Sequence, residues 1–172
     1  MTISVASGGG IKAAPSCLFA LCLLLSVQQL AAESKPPAWF DIDFSTLQRG
    51  TSARQNWQLN ELTSYVYEIE QHCCCDAPLK AHVYVQQERV TWVENLENGQ
   101  LINTPEILSR YKTIPQLFDQ IDRVMAQKPD SLTVEHDRYL GFPARFLANP
   151  RFLIADDEIN YRIHWLKLLP AD

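Results

Sequence analysis

The chain has 172 residues, with 15 Lys and Arg against 20 Asp and Glu, for a formal net charge of −5. An acidic chain without a basic stripe argues against nucleic acid and against an anionic membrane surface as partners. Its length suits one domain with a sizeable core once an export segment is set aside.

Residues 1–32 read as a secretory signal peptide. Lys12 precedes an apolar run from Cys17 to Val27 that Gln28 and Gln29 stop. That run is shorter than the ~20 residues needed to span a bilayer, and it fits a signal core. Ala31 and Ala32 mark the cleavage site. Neither Cys17 nor Cys22 has the setting of a lipoprotein cysteine. The expected product is periplasmic or secreted, with no membrane insertion after cleavage. Residues 33–50, with Lys35-Pro36-Pro37, read as a linker with extended structure around Trp39–Phe44, and residues 51–170 as a single α+β domain.

The first helix is expected over Thr51–Leu62, with Ala53 and Trp57 on one face. Period-two patterning then predicts a strand over Ser64–His72, with Tyr65, Tyr67 and Ile69 pointing one way and Glu68, Glu70 and His72 the other. After the turn at Asp76-Ala77-Pro78 come strands over Ala81–Val85 and Arg89–Glu94, then a turn at Asn98-Gly99. Leu101–Lys112 carries no clear period. The second helix starts at Thr113, a capping-box N-cap with Gln116. Ile114, Leu117, Phe118, Ile121 and Met125 form its apolar face, and Pro129 ends it. Strands are then predicted over Ser131–His136, Ala144–Ala148 and Ile159–Leu168, the last with Ile159, Tyr161, Ile163 and Trp165 on one face. Short turns force antiparallel pairing. The expected fold is α+β, an antiparallel β-sheet with two helices packed on one face. The order of elements suggests a pseudo-repeat of a helix plus a three-strand meander.

Trp57, Tyr65-Val66-Tyr67, Cys73-Cys74-Cys75, Thr113 with Leu117-Phe118, Val134-Glu135-His136-Asp137, Gly141-Phe142-Pro143 and Ala155-Asp156-Asp157-Glu158 occur in that order. In order and spacing they resemble DUF6174, a family of small exported bacterial proteins of unknown function. Cys74 stands where that pattern has an aromatic, and His136 where it has a tyrosine. The resemblance implies an exported module without an established activity.

The cysteine cluster is the main chemical feature. On a strand, Cys73 and Cys75 share a face with Cα atoms ~6.5 Å apart, near the upper limit for a disulfide. In an oxidising compartment they are the disulfide candidate, and Cys74 is the free-thiol candidate. The alternative is a thiol-dependent redox or metal-binding protein, with His72, Cys73, Cys75 and Asp76 as ligands of Cu(I) or Zn(II). The second Cys/His pair of a closed zinc site is missing, and His82, His136 and His164 fall on separate strands. No metal or other cofactor is therefore expected.

Asp156, Asp157 and Glu158, with Asp137, form an acidic binding candidate whose simpler reading is a solvated turn. A hydrolase built on them is the third function class considered. No phosphate loop or nucleophile elbow is present, and the expected catalytic set is none. His136 is expected to be a hydrogen-bonded core histidine, and Trp39, Trp57, Trp92 and Trp165 to be mostly core. The resulting expectation is a non-catalytic binding or structural module whose partner is an envelope protein or a small ligand.

Overall fold

The computed structural model describes residues 35–72, 77–149 and 158–170. Helix α1 is Ala53–Leu59, capped by the Ser52 side chain on the Gln55 N–H. Strands β1 (Tyr65–His72), β2 (Lys80–Gln86) and β3 (Arg89–Asn95) follow, then the short strand β4 (Leu101–Ile102) and the single-turn helix α2 (Pro105–Leu108). Helix α3 is Ile114–Ala126, and β5 (Ser131–His136), β6 (Pro143–Asn149) and β7 (Ile159–Leu168) complete the chain. The strands form one antiparallel sheet in the order β4-β3-β2-β1-β7-β6-β5.

Helix α3 starts where the capping box places it. Thr113 Oγ1 accepts from the Gln116 N–H, and Gln116 Oε1 accepts from the Thr113 N–H at 2.9 Å. Its apolar face differs by one position from the expected one. Val124 is buried and Met125 is exposed, because Ile114, Leu117, Ile121 and Val124 keep the helical spacing and Met125 falls off that stripe. The aperiodic stretch Leu101–Lys112 contains β4 and α2, elements too short to leave a period.

Tyr65, Tyr67 and Ile69 of β1, Val83 and Val85 of β2, and Tyr161, Ile163 and Leu166 of β7 face the helices. They share one apolar core with Trp57 of α1 and Leu117, Phe118 and Ile121 of α3. At the β5–β6 turn, Gly141 has φ +78°, and an added Cβ would come within 2.1 Å of the Ala53 carbonyl oxygen. The turn backbone therefore packs directly on the start of α1, which only glycine permits.

The segment read as a linker is docked. Phe40 makes a two-way backbone bridge with Leu168 (3.0 Å each way), on the part of β7 that β6 does not cover, and Ile42 is buried. Three of the four tryptophans are not core. Trp57 is buried, but Trp92 and Trp165 are half-buried on the sheet face away from the helices, and Trp39, 36% exposed, lies over that face. Trp165 leaves the side of Tyr161 and Ile163 because the β1–β7 register shifts between Glu68 and Ile69. The extra residue of a bulge reverses the alternation beyond it.

Candidate functional site

The sheet face away from the helices carries a polar row. Trp165, Glu68, His82 and Glu94 are direct cross-strand partners on β7, β1, β2 and β3. His82 Nδ1 lies 2.9 Å from Glu94 Oε2, and Nε2 lies 3.4 Å from Glu68 Oε2. Trp165 Nε1–H donates to Glu68 Oε2 at 2.8 Å, and Tyr84 O–H donates to Glu94 Oε2 at 3.3 Å. Trp39 closes over the row, 5.3 Å from the His82 ring and 5.8 Å from Trp165. A second row, Glu135–Arg145–Arg162–Glu70–Lys80, crosses five strands with mixed sign. Its carboxylates are engaged by Arg145, Lys80 and His164. The His164 hydrogen bond holds the Glu70 carboxyl below its usual range. Every carboxylate named in these rows has a partner, so the face stabilises itself.

The other face has a different polar site. At the end of the sheet where β1 finishes and β7 begins, a cleft of about 250 Å³ opens between the strands and α3. Ile69 and Leu117 supply apolar wall, and Gln71, Gln120, Asn160 and Arg110 supply hydrogen-bonding groups. Tyr161 lines it and is only 5% exposed, and among the described residues its hydroxyl has no hydrogen-bond partner. Two neighbouring tyrosines do have partners. Tyr67 O–H donates to the Lys112 carbonyl at 2.5 Å, and Tyr111 O–H donates to the Pro78 carbonyl at 2.8 Å. Burial raises the pKa of all three hydroxyls. Tyr161 therefore stays protonated at neutral pH and presents one donor and two lone pairs.

The flanks of both sequence motifs meet here. His72 pairs with Asn160 across β1 and β7, and His72 and Glu158 both line the cleft. Cys73, Cys74, Cys75, Asp76, Asp156 and Asp157 lie outside the described residues. Glu158 is exposed. Asp137 is not part of this site. It sits at the β5–β6 turn, where its Oδ1 accepts the Tyr139 and Leu140 N–H groups at 2.9 and 2.7 Å. The β6–β7 register places that turn at the far end of β6 from Ile159, about 20 Å away along the strand. His136 is not a core histidine. It is exposed on edge strand β5 and stacks on Phe118 at 5.9 Å, and partial desolvation there lowers its pKa.

Sequence reading missed the orphan hydroxyl, since Tyr161 reads only as an inward strand residue. Among the described residues no group of three His, Cys, Asp or Glu is arranged to hold a metal ion, and no helix is long and apolar enough to cross a membrane.

A family model described as a family of unknown function, DUF6174, matches residues 50–168. No curated protein and no solved structure matches the chain.

Proposed function

Since the chain belongs to the DUF6174 family, we propose that it is a non-catalytic exported binding module that takes a small polar ligand into the Tyr161 cleft. The observation that carries this reading is the Tyr161 hydroxyl, buried without a partner among the described residues at a cleft lined by amides and a guanidinium. A buried hydroxyl left unpaired costs about 1–3 kcal/mol, and a ligand that accepts and donates there removes that cost. A protonated tyrosine hydroxyl is a hydrogen-bond donor that can fix the orientation of a polar ligand. The cleft walls come from strands and a helix, so the site is largely preformed.

The succession of a helix and three adjacent strands, α1 with β1–β3 and α3 with β5–β7, supports the pseudo-repeat as an arrangement of elements. A thiol-based reading is the alternative, favoured by His72, the residue before the cysteines, lining the same cleft. In the binding reading Cys73 and Cys75 form a disulfide staple and take no part in chemistry.

The test is a thermal-shift comparison of wild type, Tyr161→Phe and Cys73→Ser/Cys75→Ser in the low-molecular-weight fraction of a bacterial envelope extract. The expected result is stabilisation of wild type, none of Tyr161→Phe, and retained stabilisation of the cysteine variant from a lower starting Tm. Stabilisation that survives Tyr161→Phe but vanishes in the cysteine variant would replace this reading with the thiol one.

A further inference from the structure

The chain is acidic, yet at one place on the helix side three cations gather with one carboxylate among the described residues. Beside the start of β3, between α2 and the first turns of α3, lies an open groove of about 600 Å³. Arg89, Lys112 and Arg123 line it, and Glu88 is the carboxylate on its rim. The acids nearest Arg123 along α3 are taken. Asp119 and Asp122 both pair with Arg54, at 3.1 and 2.5 Å. Arg123 is left to donate from Nε to the Asp119 carbonyl at 3.2 Å. Among the described residues Lys112 and Arg89 make no ion pair either. Burial, reinforced by the charge of Arg123, lowers the Lys112 pKa. Two like charges are thus held together beside a cavity, one of them partly desolvated. Such an arrangement is costly in an empty site and is relieved by an anion.

The start of α3 is not the attraction. Its first-turn donors are already used, by Tyr65 on the Ile114 N–H at 2.8 Å and by Thr113 on the Gln116 N–H. Recognition would come from side chains, with Lys112 as a point charge and Arg123 as a planar fork that matches an oxoanion.

We infer that this groove is a binding site for a small doubly charged oxoanion, with Lys112 and Arg123 as its counter-charges. Among the described residues the lining cations outnumber the one carboxylate, which favours a dianion over a monoanion. The site is separate from the Tyr161 cleft, although Lys112 stands on the rim of both.

The full chain is titrated with inorganic phosphate and, separately, with succinate. Sodium chloride at matched ionic strength is the control, and the backbone amides of Thr113 and Gln116 and the Arg123 Nε–H are followed by NMR. The expectation is a saturable shift with phosphate or succinate, at a Kd on the order of 1 mM. The tighter of the two identifies the phosphate or carboxylate class. Arg123→Gln, a change on an exposed helix position that leaves the fold intact, should weaken binding about tenfold, and Lys112→Gln at least as much. The Lys112 ammonium should titrate at higher pH in the saturated protein than in the free one. Tyr161→Phe should leave the titration unchanged. Linear shifts equal to those with chloride, or equal affinity in wild type and Arg123→Gln, would overturn the inference.

Discussion

The His82 row and the Tyr161 cleft lie on opposite faces of the same sheet, and both place polar groups among aromatic rings. They differ in whether the bonds close. His82 meets Glu68 and Glu94, Trp165 and Tyr84 donate to those same carboxylates, and Trp39 covers the set. Tyr161 is also buried, but its hydroxyl meets no partner among the described residues. A polar cluster whose hydrogen bonds are complete contributes to the fold. One that leaves a buried donor unpaired keeps interaction energy in reserve for another molecule. By that criterion the face that carries His82 and His164 reads as architecture, and the plainer cleft is the proposed site.

The largest effect should come from dismantling the closed cluster. His82→Leu leaves two half-buried carboxylates facing each other and should cost about 2 kcal/mol in urea unfolding, with binding in the cleft retained. A loss of binding with unchanged stability would invert the comparison. The bonded tyrosine of the other face comes next. Tyr67→Phe leaves the Lys112 carbonyl unpaired and should cost about 1–2 kcal/mol.

Alkaline pH tests the helix-covered face through ionisation. Burial raises the Tyr65, Tyr67 and Tyr161 pKa values above the ordinary 10.0. Phenols raised in the folded state contribute stability that is complete below pH ~10 and is lost as pH rises through their folded values. The unfolding free energy should therefore be flat to about pH 10 and fall beyond it. A fall of the same size beginning near neutrality would contradict the burial. On the acid side, Glu70 is held low by His164, and its contribution is present above the ordinary 4.5 and lost as pH falls through its lowered value. His164→Gln should remove that part of the acid dependence. The smallest expected effect is that of Tyr161→Phe on the free protein, near zero or slightly stabilising, because no bond among the described residues is removed.

Much of this was legible in the chain. The Thr113–Gln116 capping box, the alternation of Tyr65, Tyr67 and Ile69, and the bounds of β5 and β7 follow from local rules. The sites did not, because each depends on register or on distant partners. Glu68, His82 and Glu94 fall on three strands and become neighbours only when those strands pair. Trp165 is on the unexpected face because a bulge adds one residue to the alternation. Among the described residues Arg123 has no carboxylate partner, and Arg54, far back in the chain, takes both nearby aspartates. Tyr161 reads as core, and only the packed structure shows that its hydroxyl has no partner among the described residues.

The most direct test sets two tyrosines from one face against each other. Tyr161→Phe and Tyr67→Phe are unfolded in urea, in buffer and in the low-molecular-weight envelope fraction. The account predicts that Tyr67→Phe is destabilised in both media, whereas Tyr161→Phe matches wild type in buffer and alone fails to gain stability in the fraction. A Tyr161→Phe protein that loses as much as Tyr67→Phe in buffer would show that its hydroxyl was satisfied within the fold, and would contradict the binding site.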